Sequence, residues 1–172
     1  MKVELSEQVV RFKIIPHPTS NEAAEMSLSR REANKSMTPV FFNPDVMGTA
    51  LRDGCPEMSF ALLLGSARDG RIPPGGDLDI AVSLASGLNL TLVERIAAIA
   101  RHVLPDIDID IGYFDRAEPV YRFEALKGRL LFARDNDRFL DAYSLACREY
   151  ESQMYDYERQ ARYRLQNKEV AA

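Results

Sequence analysis

Asp77 and Asp79 carry the most pointed chemistry in the chain. They stand one residue apart in Gly76-Asp77-Leu78-Asp79-Ile80, inside an otherwise apolar run. In a strand, residues i and i+2 point to one side, so the two carboxylates share a face. Like charges placed this way repel, and partial burial adds a desolvation cost. A divalent cation removes the conflict. Mg2+ takes oxygen ligands, keeps several waters, and completes its shell with one or two carboxylates and substrate phosphates. Asp110, on a second expected strand, adds a third carboxylate. Three carboxylates on adjacent strands can hold two metal ions, the arrangement that serves in-line displacement at phosphorus.

The residues upstream fit the same chemistry. Leu62-Leu63-Leu64 runs into Gly65-Ser66, and a polar, glycine-rich loop follows. Glycine lets the backbone approach a phosphate closely, and freed amides with a hydroxyl can hydrogen-bond it. Arg68 and Arg71 in that loop can neutralise phosphate charge. A lone Asp-x-Asp is more often a solvated edge strand. Here that bland account must also explain the Gly-Ser turn and a second aspartate-bearing strand.

The elements that must position these groups are readable from periodicity. Asn43-Pro44 has the form of an N-cap followed by proline in the first helical turn. The helix it opens should run over Val46–Arg52 and end at Asp53-Gly54 and Pro56. Phe60–Leu64 is a continuous apolar run that predicts a buried strand. Ser66–Gly76, ending Pro-Pro-Gly-Gly, predicts loop. Leu78–Leu84 is compatible with a strand. Leu92, Ile96, Ile99 and Val103 recur at steps of 4, 3 and 4, so Leu90–Leu104 predicts a helix with one apolar face, stopped by Pro105. In Asp106–Phe114, Ile107, Ile109 and Ile111 go one way and Asp106, Asp108 and Asp110 the other. Val120–Leu126 predicts a helix stopped at Lys127-Gly128, and Leu130–Phe132 a short strand.

From Asp135 to about Lys168 the pattern predicts one long helix. Leu140, Tyr143, Cys147, Tyr150, Met154, Tyr157 and Ala161 are spaced alternately by 3 and 4, a heptad-like seam. That seam either packs across its own domain or continues to a partner. The first 36 residues differ from the rest. Val3–Ile15 fits a short strand or an amphipathic segment, and Asn21–Lys35 is weakly helical without an apolar stripe. The expected division is an N-terminal extension (1–36), flexible or docked on a surface, a catalytic domain (37–134), and a long C-terminal helix and tail (135–172).

Composition narrows the class. At 172 residues the chain has room for one real core, and 46% hydrophobic with 28% charged residues is ordinary for a soluble globular protein. A net charge of −4 argues against a nucleic-acid-coating role and stable nucleic-acid binding. Cations are 17 Arg and 5 Lys, a bias that suits forked recognition of phosphate and carboxylate. Cys55 and Cys147 lie far apart with no metal-type spacing, and two histidines are too few for a His-based metal site. Free thiols in a reduced cytoplasm are the simplest reading. No stretch reaches 18 apolar residues, and the N-terminus has no uninterrupted apolar core, so neither a membrane span nor a secretory signal is expected.

Gly65-Ser66, ten residues, then Asp77-Leu78-Asp79 resembles the G-S-x10-D-x-D motif of the polymerase-beta-like nucleotidyltransferase fold. The later stretch Phe114–Asp135, FDRAEPVYRFEALKGRLLFARD, is similar to the minimal nucleotidyltransferase (MNT) group, the antitoxins of HEPN ribonuclease toxins. The resemblance covers about residues 44–165. It implies an α/β (α+β) fold: a small mixed sheet flanked by helices, with a long C-terminal helix. Gly65, Ser66 and Arg68 would bind the nucleotide. Asp77 and Asp79 would bind two Mg2+ ions, with Asp110 as the third carboxylate and Asp108, on the same face, as its rival. The implied reaction moves AMP from ATP to a hydroxyl, a tyrosine of the HEPN toxin, with pyrophosphate leaving.

The chain departs from the family at two places. Gly76 stands where serine is common, and Asp69 where the loop usually carries arginine; the latter adds negative charge beside the expected triphosphate. Two other functions share the motif. A non-catalytic antitoxin would neutralise its partner by covering it, using the tyrosine-bearing seam. A nucleotidyltransferase for a small molecule such as an aminoglycoside would need a larger C-terminal domain than the residues after Asp135 can form. Oligomeric state is left open.

Overall fold

The computed structural model describes residues 11–14, 38–85 and 87–170. Asn43 caps the first helix as its sequence predicts. Its side-chain oxygen accepts from the Asp45 amide at 2.9 Å, and proline opens α1, Pro44–Gly54. The chain then enters β3 (Met58–Leu63), following β1 (Arg11–Ile14) and β2 (Val40–Phe41). β4 (Arg71–Ile72), β5 (Leu78–Leu84), α2 (Leu90–Val103), β6 (Ile109–Tyr113), α3 (Pro119–Leu126), β7 (Arg129–Ala133) and α4 (Asn136–Val170) complete the order. Short 3-10 turns occupy Gly65–Asp69 and Phe114–Arg116.

Five strands form one mixed sheet in the order β1-β6-β5-β3-β7. β5 and β6 are parallel, joined by the α2 crossover; the other neighbours are antiparallel. The pleat divides β5 cleanly. Leu78, Ile80, Val82 and Leu84 face α1 and α2 and join Met47, Leu51, Val93, Ile96 and Ile111 in the larger core. Ala81 goes to the opposite face, with Phe60, Leu62, Phe114, Ala125 and Ala146 under α3 and α4. Phe60 meets Phe114 and Phe139 edge-to-face, each at 5.1 Å between centroids.

Two expectations change, and the strand alternative for Val3–Ile15 is met at Arg11–Ile14. The segment Ser66–Gly76 is not all irregular. It holds the 3-10 turn and then β4, which pairs with β2 through Val40↔Ile72 and Phe41↔Arg71. The Phe42 amide donates to the Gly70 carbonyl at 2.9 Å, extending that pairing. Within the N-terminal extension, Arg11–Ile14 is an edge strand antiparallel to β6. The rest of that extension, including the weak helical pattern of Asn21–Lys35, lies outside the described residues.

The seam of α4 also shifts. Leu140, Tyr143 and Tyr157 are 50%, 43% and 50% exposed, while Ala146 is fully buried. The packed face carries Phe139, Ala142, Ala146 and Tyr150. Small residues won over large ones because Ala142 and Ala146 let the helix axis approach the sheet face closely, where a leucine or tyrosine would hold it off. Tyr150 stacks on Phe123 of α3 at 4.0 Å, and Arg122 pairs with Glu149 beside it.

Candidate active site

The parallel ladder between β5 and β6 sets two of the predicted carboxylates side by side. Asp79 and Asp110 are register partners, and so are Ala81 and Gly112 two residues further on. Leu78 pairs with Ile109 and its amide donates to the Asp108 carbonyl at 2.9 Å. One residue earlier, at the strand mouth, Asp77 and Asp108 precede the ladder. All four aspartates are half-buried. The pleat puts them on the sheet face that carries Ala81, opposite the larger core. On the other side of β6, β1 sets Lys13 opposite Asp110 in the register.

The Gly-Ser turn closes onto the same place. Gly65 is left-handed, with φ of 57°, and a Cβ there would sit 3.2 Å from Asp79 Oδ2. Only glycine takes this backbone conformation without strain while lying against a carboxylate. The Leu64 amide donates to the Asp79 carbonyl at 2.9 Å, fixing the turn to β5. Ser66 is exposed at the start of the 3-10 turn. Arg68 is exposed and donates through Nη1 to the Lys127 carbonyl at 3.0 Å, tying the turn to the end of α3. Gly76 closes its own turn, its amide donating to the Pro73 carbonyl at 2.9 Å.

The structure thus brings Gly65, Asp79 and Asp110 to one point, with Asp77 at the mouth of the same strand. Among the described residues, no three His, Cys, Asp or Glu side chains stand together as a ready-made metal cluster. The donor set nonetheless suits Mg2+: oxygen ligands only, two of them side by side in register and half-buried. At the far end of this face Asp115 serves structure. It accepts from Ser83 Oγ at 2.7 Å and from the Leu84 amide at 2.9 Å.

One neighbour of the site escapes a reading of the sequence. Tyr121 of α3 lays its hydroxyl over Gly112, where a Cβ would lie 1.8 Å from the phenol oxygen. The available signal is Gly112 itself: a glycine inside a strand pattern marks a close approach.

The chain matches no family model and no curated protein. Solved structures do resemble it. One is a mutant of the toxin–antitoxin MntA–HpeT: 24% identity over 76% of this chain and 99% of that chain, with a TM-score of 0.53. Another is a toxin–antitoxin with AMP-PNP: 25% identity over the same shares, with a TM-score of 0.52. The α/β architecture with a mixed sheet and a long last helix is therefore that of the MntA-type neighbours, as the Gly-Ser and Asp-Leu-Asp motif predicts.

Proposed function

We propose that this chain, which shares its fold with the MntA-type toxin–antitoxin structures, is a Mg2+-dependent nucleotidyltransferase. It transfers AMP from ATP to a hydroxyl, a tyrosine of a HEPN toxin partner, and so acts as an antitoxin. The observation that carries this reading is the register pairing of Asp79 with Asp110, with the left-handed Gly65 against the Asp79 carboxylate. Sheet and turn converge on a point that wants both a cation and a phosphate. The neighbour with AMP-PNP supports a nucleotide as the ligand.

The residues divide the work as follows. Asp77, Asp79 and Asp110 hold two Mg2+ ions. When bound, the ions offset the charge of the triphosphate and polarise the reacting groups. Gly65 and Ser66 receive the phosphates through backbone amides and the serine hydroxyl. Arg68, anchored on the Lys127 carbonyl, holds positive charge at the edge of the turn. The acceptor oxygen forms a bond to the α-phosphorus, and the α–β bridging bond breaks. Pyrophosphate leaves with that electron pair, and Asp110 takes the acceptor proton. The cytoplasm, which supplies ATP, is the compartment proposed for this activity.

The experiment is label transfer. The protein is incubated with ATP labelled at the α-phosphate and Mg2+, with and without the product of the neighbouring gene. Label should appear on that partner and vanish with Asp77→Asn or Asp79→Asn. If the double Asn variant neutralises the partner as well as the wild type and no label moves, the enzymatic reading is lost. A non-catalytic antitoxin then remains. One observation favours that second reading: α4 leaves Tyr155, Tyr157 and Tyr163 exposed along its length.

A further inference from the structure

Gly112 is the fourth of the five residues of β6, an interior strand between β1 and β5. Glycine weakens an interior strand, since it adds chain entropy to the unfolded state and packs nothing. Its presence there needs a cause, and Tyr121 supplies one. A Cβ at residue 112 would stand 1.8 Å from the Tyr121 hydroxyl oxygen and 2.7 Å from Cζ. The phenol therefore rests directly on the backbone of β6. Ala81, the register partner of Gly112, is also small and fully buried, and Tyr121 packs against its cluster. Ala81 and Gly112 form a shallow floor, and the polar end of Tyr121 is seated on it.

That floor adjoins the carboxylates. Asp79 and Asp110 precede Ala81 and Gly112 by two residues on the same strands and the same face. Two residues of strand advance the chain about 7 Å. A carboxylate side chain on one site and a phenol oxygen on the next bridge most of that gap. A phenol could satisfy its hydroxyl at any wet surface. Here a strand gives up a side chain so that the hydroxyl can reach the edge of an acidic site.

We propose that Tyr121 is a positioning residue: its hydroxyl, seated on Gly112, orients the carboxylate of Asp110 for a divalent cation. The inference rests on the nucleotidyltransferase reading. Metal sites depend on groups that hold the ligands in place, and removing such a group costs roughly tenfold or more in metal affinity. The neighbouring residues fit this use. Arg122 pairs with Glu149 and Phe123 stacks on Tyr150, so the helix that carries Tyr121 is clamped on α4.

The test measures Mn2+ binding to the full chain with AMP-PNP, read from the spin-resonance signal of free Mn2+. Tyr121→Phe keeps the ring and removes only the hydroxyl. It should weaken Mn2+ binding roughly tenfold while leaving the melting temperature unchanged. In an Asp110→Asn background the same change should have no further effect, because the group it orients is gone. Gly112→Ala should displace the phenol and weaken Mn2+ to a similar degree. In Tyr121→Ala/Gly112→Ala the floor is refilled, so stability should recover relative to Gly112→Ala but Mn2+ affinity should not. The inference is overturned if Tyr121→Phe binds Mn2+ like the wild type, or if its loss is as large with Asp110→Asn as without it. Failure of the underlying reading looks different. Wild type and Asp77→Asn would then bind Mn2+ equally weakly, and the comparison at Tyr121 would fall with it.

Discussion

The two faces of the central sheet share their backbone and differ in nearly everything else. Toward α1 and α2, β5 presents Leu78, Ile80, Val82 and Leu84, all buried, against a continuous apolar core. Toward α3 and α4 the same strand presents Asp79, Ala81 and Ser83. That face is covered by Phe60, Leu62, Phe114 and Ala146 at one end, and by half-buried carboxylates at the other. A pleat with period two lets one strand serve both ends. Stability resides on the closed face, where apolar side chains fill the space without polar cost. Chemistry resides at the open end of the other face, where like charges are tolerated for what they bind. Substitutions should therefore separate the two properties.

The largest separation is expected at Asp79. Asp79→Asn should cut AMP transfer about a thousandfold, roughly 4 kcal/mol of transition-state stabilisation. Its melting temperature should equal or exceed that of the wild type, because one of two neighbouring like charges is gone. Rate and melting curve on the same sample check both halves. A large drop in stability would mean that the acidic end is built into the fold, and the division between faces would fail.

The mirror case is Ile80, one residue away and fully buried on the closed face. Ile80→Ala should destabilise by about 3 kcal/mol, the transfer loss plus a cavity. Below its melting transition it should keep Mn2+ affinity within about twofold, since the carboxylates stand on the other side of the pleat. Urea titration and Mn2+ binding at low denaturant measure the pair. Loss of metal binding in the folded variant would show that the faces are coupled.

Much of this division is legible in the amino-acid sequence. The cap at Asn43-Pro44, the apolar strand before Gly65 and the alternation of Asp106–Phe114 are local codes, carried by a few adjacent residues. Their outcomes follow closely: α1 begins at Pro44, and β6 keeps Ile109 and Ile111 in the core and Asp110 outside it. What is not legible depends on distant partners. β4 is two residues long and exists only because β2 lies beside it. β1 falls where the sequence fits a strand, but its place at the sheet edge is set by its pairing with β6. The contact face of α4 follows the shape of α3 and β3, which no periodicity within α4 contains. For the same reason no local pattern marks Tyr121: its hydroxyl and Gly112 meet across the fold.

A smaller effect tests the packing face of α4. Tyr150→Ala removes the stack on Phe123 and should cost about 1.5 kcal/mol. Leu140→Ser, at a position half exposed on the same helix, should change stability by no more than about 0.5 kcal/mol. Urea unfolding of both variants ranks them. Equal losses would restore the heptad seam as the packing face.

The smallest perturbation uses the two thiols as reporters, one for each face. Cys55 is fully buried among the residues of the closed face, and Cys147 is half-buried on the helix that covers the other. Burial holds the Cys55 thiol above its ordinary value of 9.0, with the charge of Arg95 opposing more weakly. The thiolate is therefore rarer in the folded chain than in the unfolded one. The sign follows from linkage. The contribution of Cys55 to stability is intact below pH 9.0 and is lost as pH rises through the folded-state value. Iodoacetamide near neutral pH should label Cys147 first, because the thiolate is the nucleophile and burial denies Cys55 both ionisation and access. Cys55 should react only at the rate of global unfolding, and Ile80→Ala should speed that reaction while leaving Cys147 unchanged. Peptide mass mapping over time reads both sites at once. If Cys55 reacts as fast as Cys147 in the wild type, the face toward α1 and α2 opens locally, and its role as the stable half of the sheet is lost.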